Sequence, residues 1–157
     1  MSRVLVLILL CQGVWRTIYS FDHIWGPNTV DCFANFNNRK LTRFYSRFWN
    51  PEAEGVNAFC HAWGGENNWL VPPVFLAPRV IGQLAECQAE GTLIVPEWVS
   101  SPFWPMLFGP QSLYSSYVKC TIIFSDVSGV FVRGSTDSIF YGSKFKSRVL
   151  AVCLSRR

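Results

Sequence analysis

Charged residues are scarce in this chain of 157 residues, at 15% of the total, whereas 50% of the residues are hydrophobic. A composition so poor in charge excludes a disordered chain and suits one compact domain. No apolar run reaches the roughly 18 residues that a membrane-spanning helix needs. We therefore expect no membrane association, and an intracellular protein of the cytoplasm or nucleus.

The chain also lacks the short motifs of several enzyme classes. The patterns GxGxxG, GxxxxGK[ST] and GxSxG are all absent, and these patterns mark dinucleotide sites, phosphate loops and nucleophile elbows. There are two histidines, and the six cysteines, at positions 11, 32, 60, 87, 120 and 153, form no CxxC pair. We therefore expect no metal site, and we interpret the cysteines as buried thiols without disulfide bonds.

Aromatic residues are abundant, with thirteen Phe, seven Trp and five Tyr. This is more apolar surface than a small core requires, which suggests a piece of a larger protein in which some rings meet other domains. The formal charge of +4 is unevenly distributed, because both ends are basic and the middle is acidic. One basic cluster is either an ordinary solvated face or an edge that follows nucleic-acid phosphates, and its members are Arg39, Lys40, Arg43 and Arg47.

The first residues combine a charged start with an apolar run from Val4 to Cys11, a pattern typical of a signal peptide. A small secreted protein held by disulfide bonds is therefore one alternative. No suitable cleavage site follows, however, because residues 14–16 are bulky. We therefore interpret residues 1–17 as a leader outside the domain, the accidental start of an open reading frame, and residues 18–157 as a single domain.

The residue pattern predicts strands alternating with a helix. Strands are expected at 29–34, 43–48, 68–71, 92–96, 120–124, 129–133 and 148–154. A helix is expected over 74–90, with Val80, Leu84 and Cys87 on its buried face and Gly91 as its stop. These elements predict an α/β fold with a mixed sheet, in which ligands bind beyond the carboxyl ends of the strands.

Several strings occur together in an order similar to one known family. They are WGPNTVDCFA (25–34), RFYSRFWNP (43–51), GENNW (65–69) and GTLIVPEW (91–98). This set resembles the polyprotein segment that follows reverse transcriptase and RNase H in DIRS-like, tyrosine-recombinase retroelements of animals. The resemblance covers about residues 21–154. It implies a retrotransposon-derived fragment whose partners are neighbouring polyprotein domains and the DNA or RNA of the element.

That retroelement segment in turn resembles phage-type DNA adenine-N6 methyltransferases. The resemblance implies a Rossmann-like methyltransferase fold, here truncated or degenerate. Asp31, Ala34 and Asn38 keep the spacing of the family motif Asp-x-x-Ala-x-x-x-Asn, which implies an S-adenosylmethionine site that also includes Phe33. Without the resemblance, Asp31 is an aspartate that closes a turn at a strand end.

The second methyltransferase motif, Asn/Asp-Pro-Pro-Tyr/Phe, is altered in this chain. Pro72 and Pro73 are retained, and Phe75 lies one position later than the family aromatic. Val71 replaces the residue whose oxygen accepts the adenine N6 hydrogens, and Val74 replaces the ring that stacks on the flipped base. Losing such a hydrogen bond costs about 3–4 kcal/mol of transition-state stabilisation.

A third family position weakens the cofactor site, because Asn57 stands where the family more often has Asp. We therefore expect a methyltransferase-like accessory domain that is inactive and has lost S-adenosylmethionine. The alternative is a non-catalytic module that presents the basic cluster and exposed aromatic rings to nucleic acid or to neighbouring domains.

Overall fold

The computed structural model describes residues 3–4, 24–35, 39–124 and 147–156. These residues form one sheet, whose eight strands are β1 (Arg3–Val4), β2 (Val30–Ala34), β3 (Phe44–Ser46), β4 (Gly55–Val56), β5 (Asn67–Leu70), β6 (Glu90–Pro96), β7 (Val118–Phe124) and β8 (Val149–Leu154). Helix α1 spans Ala77–Glu86 and the short helix α2 spans Trp104–Leu107. Three 3-10 turns cover Ala58–Cys60, Val74–Leu76 and Ser115–Tyr117.

The strand order across the sheet is β4-β3-β2-β5-β6-β8-β7-β1. Strands β4, β3, β2, β5 and β6 are parallel to one another, whereas β8 is antiparallel to both β6 and β7. The chain is therefore mixed α/β with a mixed sheet, as predicted. Strand β5 pairs with both β2 and β6, so these three strands are adjacent. Strand β1 lies within the predicted leader and pairs with β7.

Alternating side chains of the strands form a core on each face of the sheet. On one face, Val80, Ile81 and Leu84 of α1 belong to the same buried cluster as Leu93 and Val95 of β6. The other face carries a smaller cluster, in which the buried residues are Trp69, Ile94, Ile122, Phe124, Val149 and Ala151. Strand β6 contributes to both clusters and its last six residues are buried, as is typical of an apolar strand that is covered on both faces of a sheet.

Helix α1 is shorter than the sequence predicts, and Gly91 is not its stop. The helix ends because Gln88 adopts a positive φ of 51°, and the Ala89 N–H donates to the Leu84 carbonyl while the Gln88 N–H donates to the Ala85 carbonyl. This pair of bonds is a Schellman motif with glutamine at the left-handed position. Gly91 lies inside β6, where a Cβ would come within 2.6 Å of the Asn68 carbonyl oxygen.

Other expectations need smaller corrections. The predicted strand at 43–48 is confined to Phe44–Ser46, because Arg47 and Phe48 leave the sheet and are exposed. The predicted strand at 129–133 lies outside the described residues, whereas those at 120–124 and 148–154 are confirmed as β7 and β8. Within the described ranges, no helix is both long and apolar enough to cross a membrane.

The cysteines are free thiols at all five described positions, so no disulfide bond is present among them. Their predicted burial is wrong for most of them, because Cys32 is buried, Cys60 is exposed and the other three are intermediate. Cys60 is exposed because it ends a surface 3-10 turn.

Candidate functional site

The carboxyl ends of the parallel strands meet at one edge of the sheet, which we call the carboxyl edge. It consists of the segments that directly follow these strands, at residues 35, 47–49, 57–59, 71–75 and 97–99. Because β2 and β5 are parallel neighbours, Ala34 at the end of β2 lies at the same edge as Val71 after β5. The end of β2 therefore lies beside the segment that follows β5.

Asp31 does not lie at that edge. It is the second residue of β2, it is directly opposite Trp69 of β5, and it is only 3% exposed. Its neighbours Val30 and Cys32 point into the α1-side core, so the Asp31 side chain faces the opposite side of the sheet. The expectation that this residue borders the crevice at the strand end is therefore corrected.

The Asp31 carboxylate accepts hydrogen bonds from backbone N–H groups of its own loop. Oδ2 accepts a hydrogen bond from the Lys40 backbone N–H at 2.9 Å, and the Phe33 backbone N–H also donates to this carboxylate. Burial raises the pKa of Asp31 to about 6, although these two backbone donors partly oppose the rise. The carboxylate thus closes the connection from β2 to residue 40, as in the turn-closing interpretation.

The segment 71–75 bridges the two core clusters at the end of β5. The Val71 side chain packs against the Trp69 cluster, whereas Val74 packs against the cluster that contains α1. Pro72 is buried, Pro73 is exposed, and Phe75 is 78% exposed. Val71 and Val74 therefore contribute apolar packing, whereas the Phe75 ring stays exposed.

Phe33 and Asn57 have structural partners. The Phe33 ring lies 5.5 Å from Phe59 and 6.3 Å from Trp63, so it belongs to an aromatic cluster. Asn57 has φ 59°, and its side chain caps a 3-10 turn by accepting from the Phe59 N–H at 3.2 Å. Asparagine tolerates positive φ better than most residues, which accounts for this residue at the turn. Asn38 lies outside the described residues.

The four residues of the predicted basic cluster have different environments. Arg43 bonds both Glu54 and Glu66, with Nε and Nη2 at 2.9 and 2.8 Å from their nearest carboxylate oxygens. Two carboxylates therefore offset its charge, and the prediction of a phosphate contact is weakened at this position. Lys40 is half-buried, and burial lowers its pKa.

The other two members of the cluster lie against aromatic rings. The Arg39 guanidinium is 5.5 Å from the centre of the Phe44 ring, and the Arg47 guanidinium is 5.1 Å from that of Phe48. Arg47 is exposed, whereas Arg39 is half-buried. Arg47 therefore retains a solvent-facing charge next to an exposed ring at the carboxyl edge.

Exposed apolar side chains concentrate at this edge. Phe48, Trp49 and Phe75 are 71%, 79% and 78% exposed, and Trp98 and Val99 follow β6 with 37% and 63%. Rings of this size usually bury much of their surface, so a group of them at one edge is typical of a binding surface. Exposed rings are predicted by the composition, but their common position is not, because it depends on strand order.

Asn68 is a buried polar residue that the sequence analysis did not identify. Its Nδ2 donates to the carbonyls of Trp63 and Glu90 at 3.1 and 2.9 Å, and its Oδ1 accepts from the Cys32 thiol at 3.4 Å. These bonds join β2, β5, the start of β6 and the preceding turn. In the sequence this residue is marked only as an asparagine next to the apolar residues of a predicted strand. That pattern does not show which groups its side chain bonds.

No family model, curated protein or solved structure matches this chain. Among the described residues, His, Cys, Asp and Glu nowhere form a group of three or more that could hold a metal ion.

Proposed function

We propose that this chain is a methyltransferase-like accessory domain from a DIRS-like retroelement polyprotein, and that it no longer methylates adenine. The observation that carries the proposal is the position of the segment 71–75. This segment follows β5 at the carboxyl edge, beside the end of β2, and keeps the two prolines of the family motif with valines on either side.

The strand arrangement supports the fold part of the proposal. A mixed sheet is the sheet type that the methyltransferase resemblance implies, and here β8 is antiparallel between β6 and β7. The low helical content of the described residues supports a degenerate version of the methyltransferase fold. The connection from β3 to β4, for example, contains no described helix.

The residues do not fit S-adenosylmethionine at the implied positions. The Asp31 carboxylate accepts from backbone donors of its own loop and is buried within the sheet. Phe33 is packed between aromatic neighbours. Val71 offers no oxygen at the position where the family accepts the amine hydrogens. We therefore propose that cofactor binding and methyl transfer have both been lost, and we assign no catalytic step to this chain.

The test is methylation of duplex DNA with tritiated S-adenosylmethionine, together with calorimetric titration of the cofactor. We expect no incorporation above a no-protein control and no measurable cofactor binding. The double variant Val71→Asn, Val74→Tyr restores the motif that holds the target base and is the minimum change that activity would require, in addition to restored cofactor binding. Incorporation by the unaltered chain that Asp31→Ala abolishes would show that the enzyme is active and the proposal wrong.

The carboxyl edge favours a second candidate function, which is binding of single-stranded nucleic acid. Exposed Phe48, Trp49 and Phe75 offer rings on which bases stack, and Arg47 supplies a nearby positive charge. Base stacking on such rings contributes about 1–3 kcal/mol per base, and each neutralised phosphate adds salt dependence. This function requires neither the cofactor nor the lost acceptor.

Fluorescence anisotropy with a labelled single-stranded oligonucleotide tests this candidate. We expect Trp49→Ser to weaken binding roughly tenfold, from the loss of one stacked base. Leu113→Ser is the matched control, because Leu113 is 79% exposed but precedes β7 at the opposite edge. Equal affinities for the two variants would contradict the assignment of the carboxyl edge as the binding surface.

Substituting two arginines at opposite edges distinguishes a local phosphate contact from attraction by the net charge of the protein. Arg47→Gln is expected to weaken binding and to reduce the salt dependence by about one phosphate contact. Arg156→Gln removes the same charge after β8, whose end lies beside the start of β6 at the opposite edge. Equal effects of the two substitutions would indicate attraction by net charge alone.

A further inference from the structure

Two cysteines lie opposite each other on the antiparallel strands β7 and β8. Cys120 and Cys153 are register partners, next to an irregularity in the pairing between Val118 and Cys120. Opposite residues on antiparallel strands have Cα atoms about 4.5 or 5.5 Å apart, and disulfide bonds typically join Cα atoms about 4.4–6.8 Å apart. The backbone therefore places this pair within the range of a disulfide bond.

The two thiols also point to the same face of the sheet. Cys153 alternates with Val149 and Ala151, and Cys120 alternates with Ile122 and Phe124, and all four of these neighbours belong to the Trp69 cluster. Both cysteines are free thiols of intermediate exposure. A small reagent in solvent therefore has access to thiols that are already positioned against each other.

We propose that Cys120 and Cys153 form a redox-sensitive dithiol, which a small-molecule disulfide such as glutathione disulfide converts into a cross-strand disulfide bond. The thiolate of one cysteine attacks a glutathione sulfur and releases one glutathione thiolate. The second cysteine then attacks the protein sulfur of this mixed disulfide and releases the other glutathione. Two protein thiols lose two electrons, glutathione disulfide gains them, and the protons from the thiols pass to the two glutathione molecules.

The surroundings indicate which cysteine reacts first. Burial raises the pKa of Cys153 to about 11, with the neighbouring Cys120 as a smaller cause. Because the thiolate is the nucleophile, Cys153 is a slow first attacker at neutral pH. Cys120 is therefore the attacking residue and Cys153 the resolving residue.

To test the proposal, the native full chain is incubated in buffers in which the ratio of glutathione disulfide to glutathione increases. The samples are then alkylated, digested with trypsin and analysed by mass spectrometry. We expect the peptide 120–133 linked to the peptide 149–156 to accumulate as the ratio rises and to disappear with reductant. Retention of both residues as free thiols or as stable glutathione adducts in the folded chain would overturn the proposal.

Cysteine variants show whether the linkage is specific to Cys120 and Cys153. Cys120→Ser and Cys153→Ser should each abolish the linked peptide, and Cys153→Ser should leave a glutathione adduct on Cys120. Cys60→Ser removes an exposed thiol elsewhere and should leave the linkage unchanged. In urea the linked peptide should no longer predominate over other cysteine pairs, because the register that aligns the two residues is lost. Undiminished selectivity in urea would contradict the role assigned to the sheet.

Discussion

Replacing Asp31 with Asn is expected to stabilise the protein at pH 7. The carboxyl is 3% exposed, and burial raises its pKa from 3.8 to about 6. A rise of about two units corresponds to about 3 kcal/mol of cost for holding the ionised group in the folded state. The amide of Asn leaves one oxygen for the two backbone donors, Lys40 and Phe33, which weakens their hydrogen bonds at a cost of about 1 kcal/mol. The expected net gain is about 2 kcal/mol.

The pH dependence follows from the raised pKa. The unfolded chain ionises Asp31 near pH 3.8 and the folded protein near pH 6, so the folded state binds more protons between these values. The free energy of unfolding therefore falls as the pH rises through this interval, and Asp31 adds no further change above or below it. Between pH 5 and pH 7 the expected loss is about 1 kcal/mol in the native protein, and the Asn variant lacks it.

Urea denaturation followed by tryptophan fluorescence measures both effects, with the native protein and the variant compared at each pH from 5 to 7. Glu66, whose pKa Arg43 lowers, is present in both proteins and cancels in the comparison. Asp31→Ala removes both acceptors and should be less stable than Asp31→Asn. Destabilisation by Asp31→Asn at pH 7, or the same stability difference from the native protein at pH 5 and pH 7, would contradict the cost assigned to the buried carboxylate.

Three further substitutions test the fold by urea denaturation. Asn68→Leu should lower the free energy of unfolding by about 3 kcal/mol, because the carbonyls of Trp63 and Glu90 lose a buried donor. A cost below about 1 kcal/mol would contradict the role of Asn68 as that donor. Gln88→Gly should raise the free energy of unfolding by about 1 kcal/mol, because Gln88 has φ 51°, and no gain would argue against the left-handed cap. Gly91→Ala should lower it by about 2 kcal/mol, because its Cβ would lie 2.6 Å from a carbonyl oxygen, and a neutral effect would mean that β5 and β6 are not so close.

Local pattern in the sequence was sufficient for the elements around β5, α1 and β6. Asn68 to Leu70, the two prolines, the apolar positions Val80 and Leu84 and the wholly apolar run of β6 each carry a signal within a few residues. Such signals arise from backbone preference and from periodic burial, which act over one or two turns of chain. For the same reason the exact end of α1 was missed, since the glutamine at its left-handed cap is not a usual stop signal.

Contacts between residues that are distant in the chain depend on the whole fold. The opposition of Cys120 and Cys153 depends on a bulged pairing across two strands, and the bonds of Asn68 depend on β5 lying between β2 and β6. The positions of Asp31, inside the sheet, and of the exposed rings, along one edge, also depend on strand order. The types of the strands and of helix α1, and the apolar side chain at position 71, follow from the sequence alone. Strand order and register are set by the burial of all strands together, so short-range patterns do not encode them.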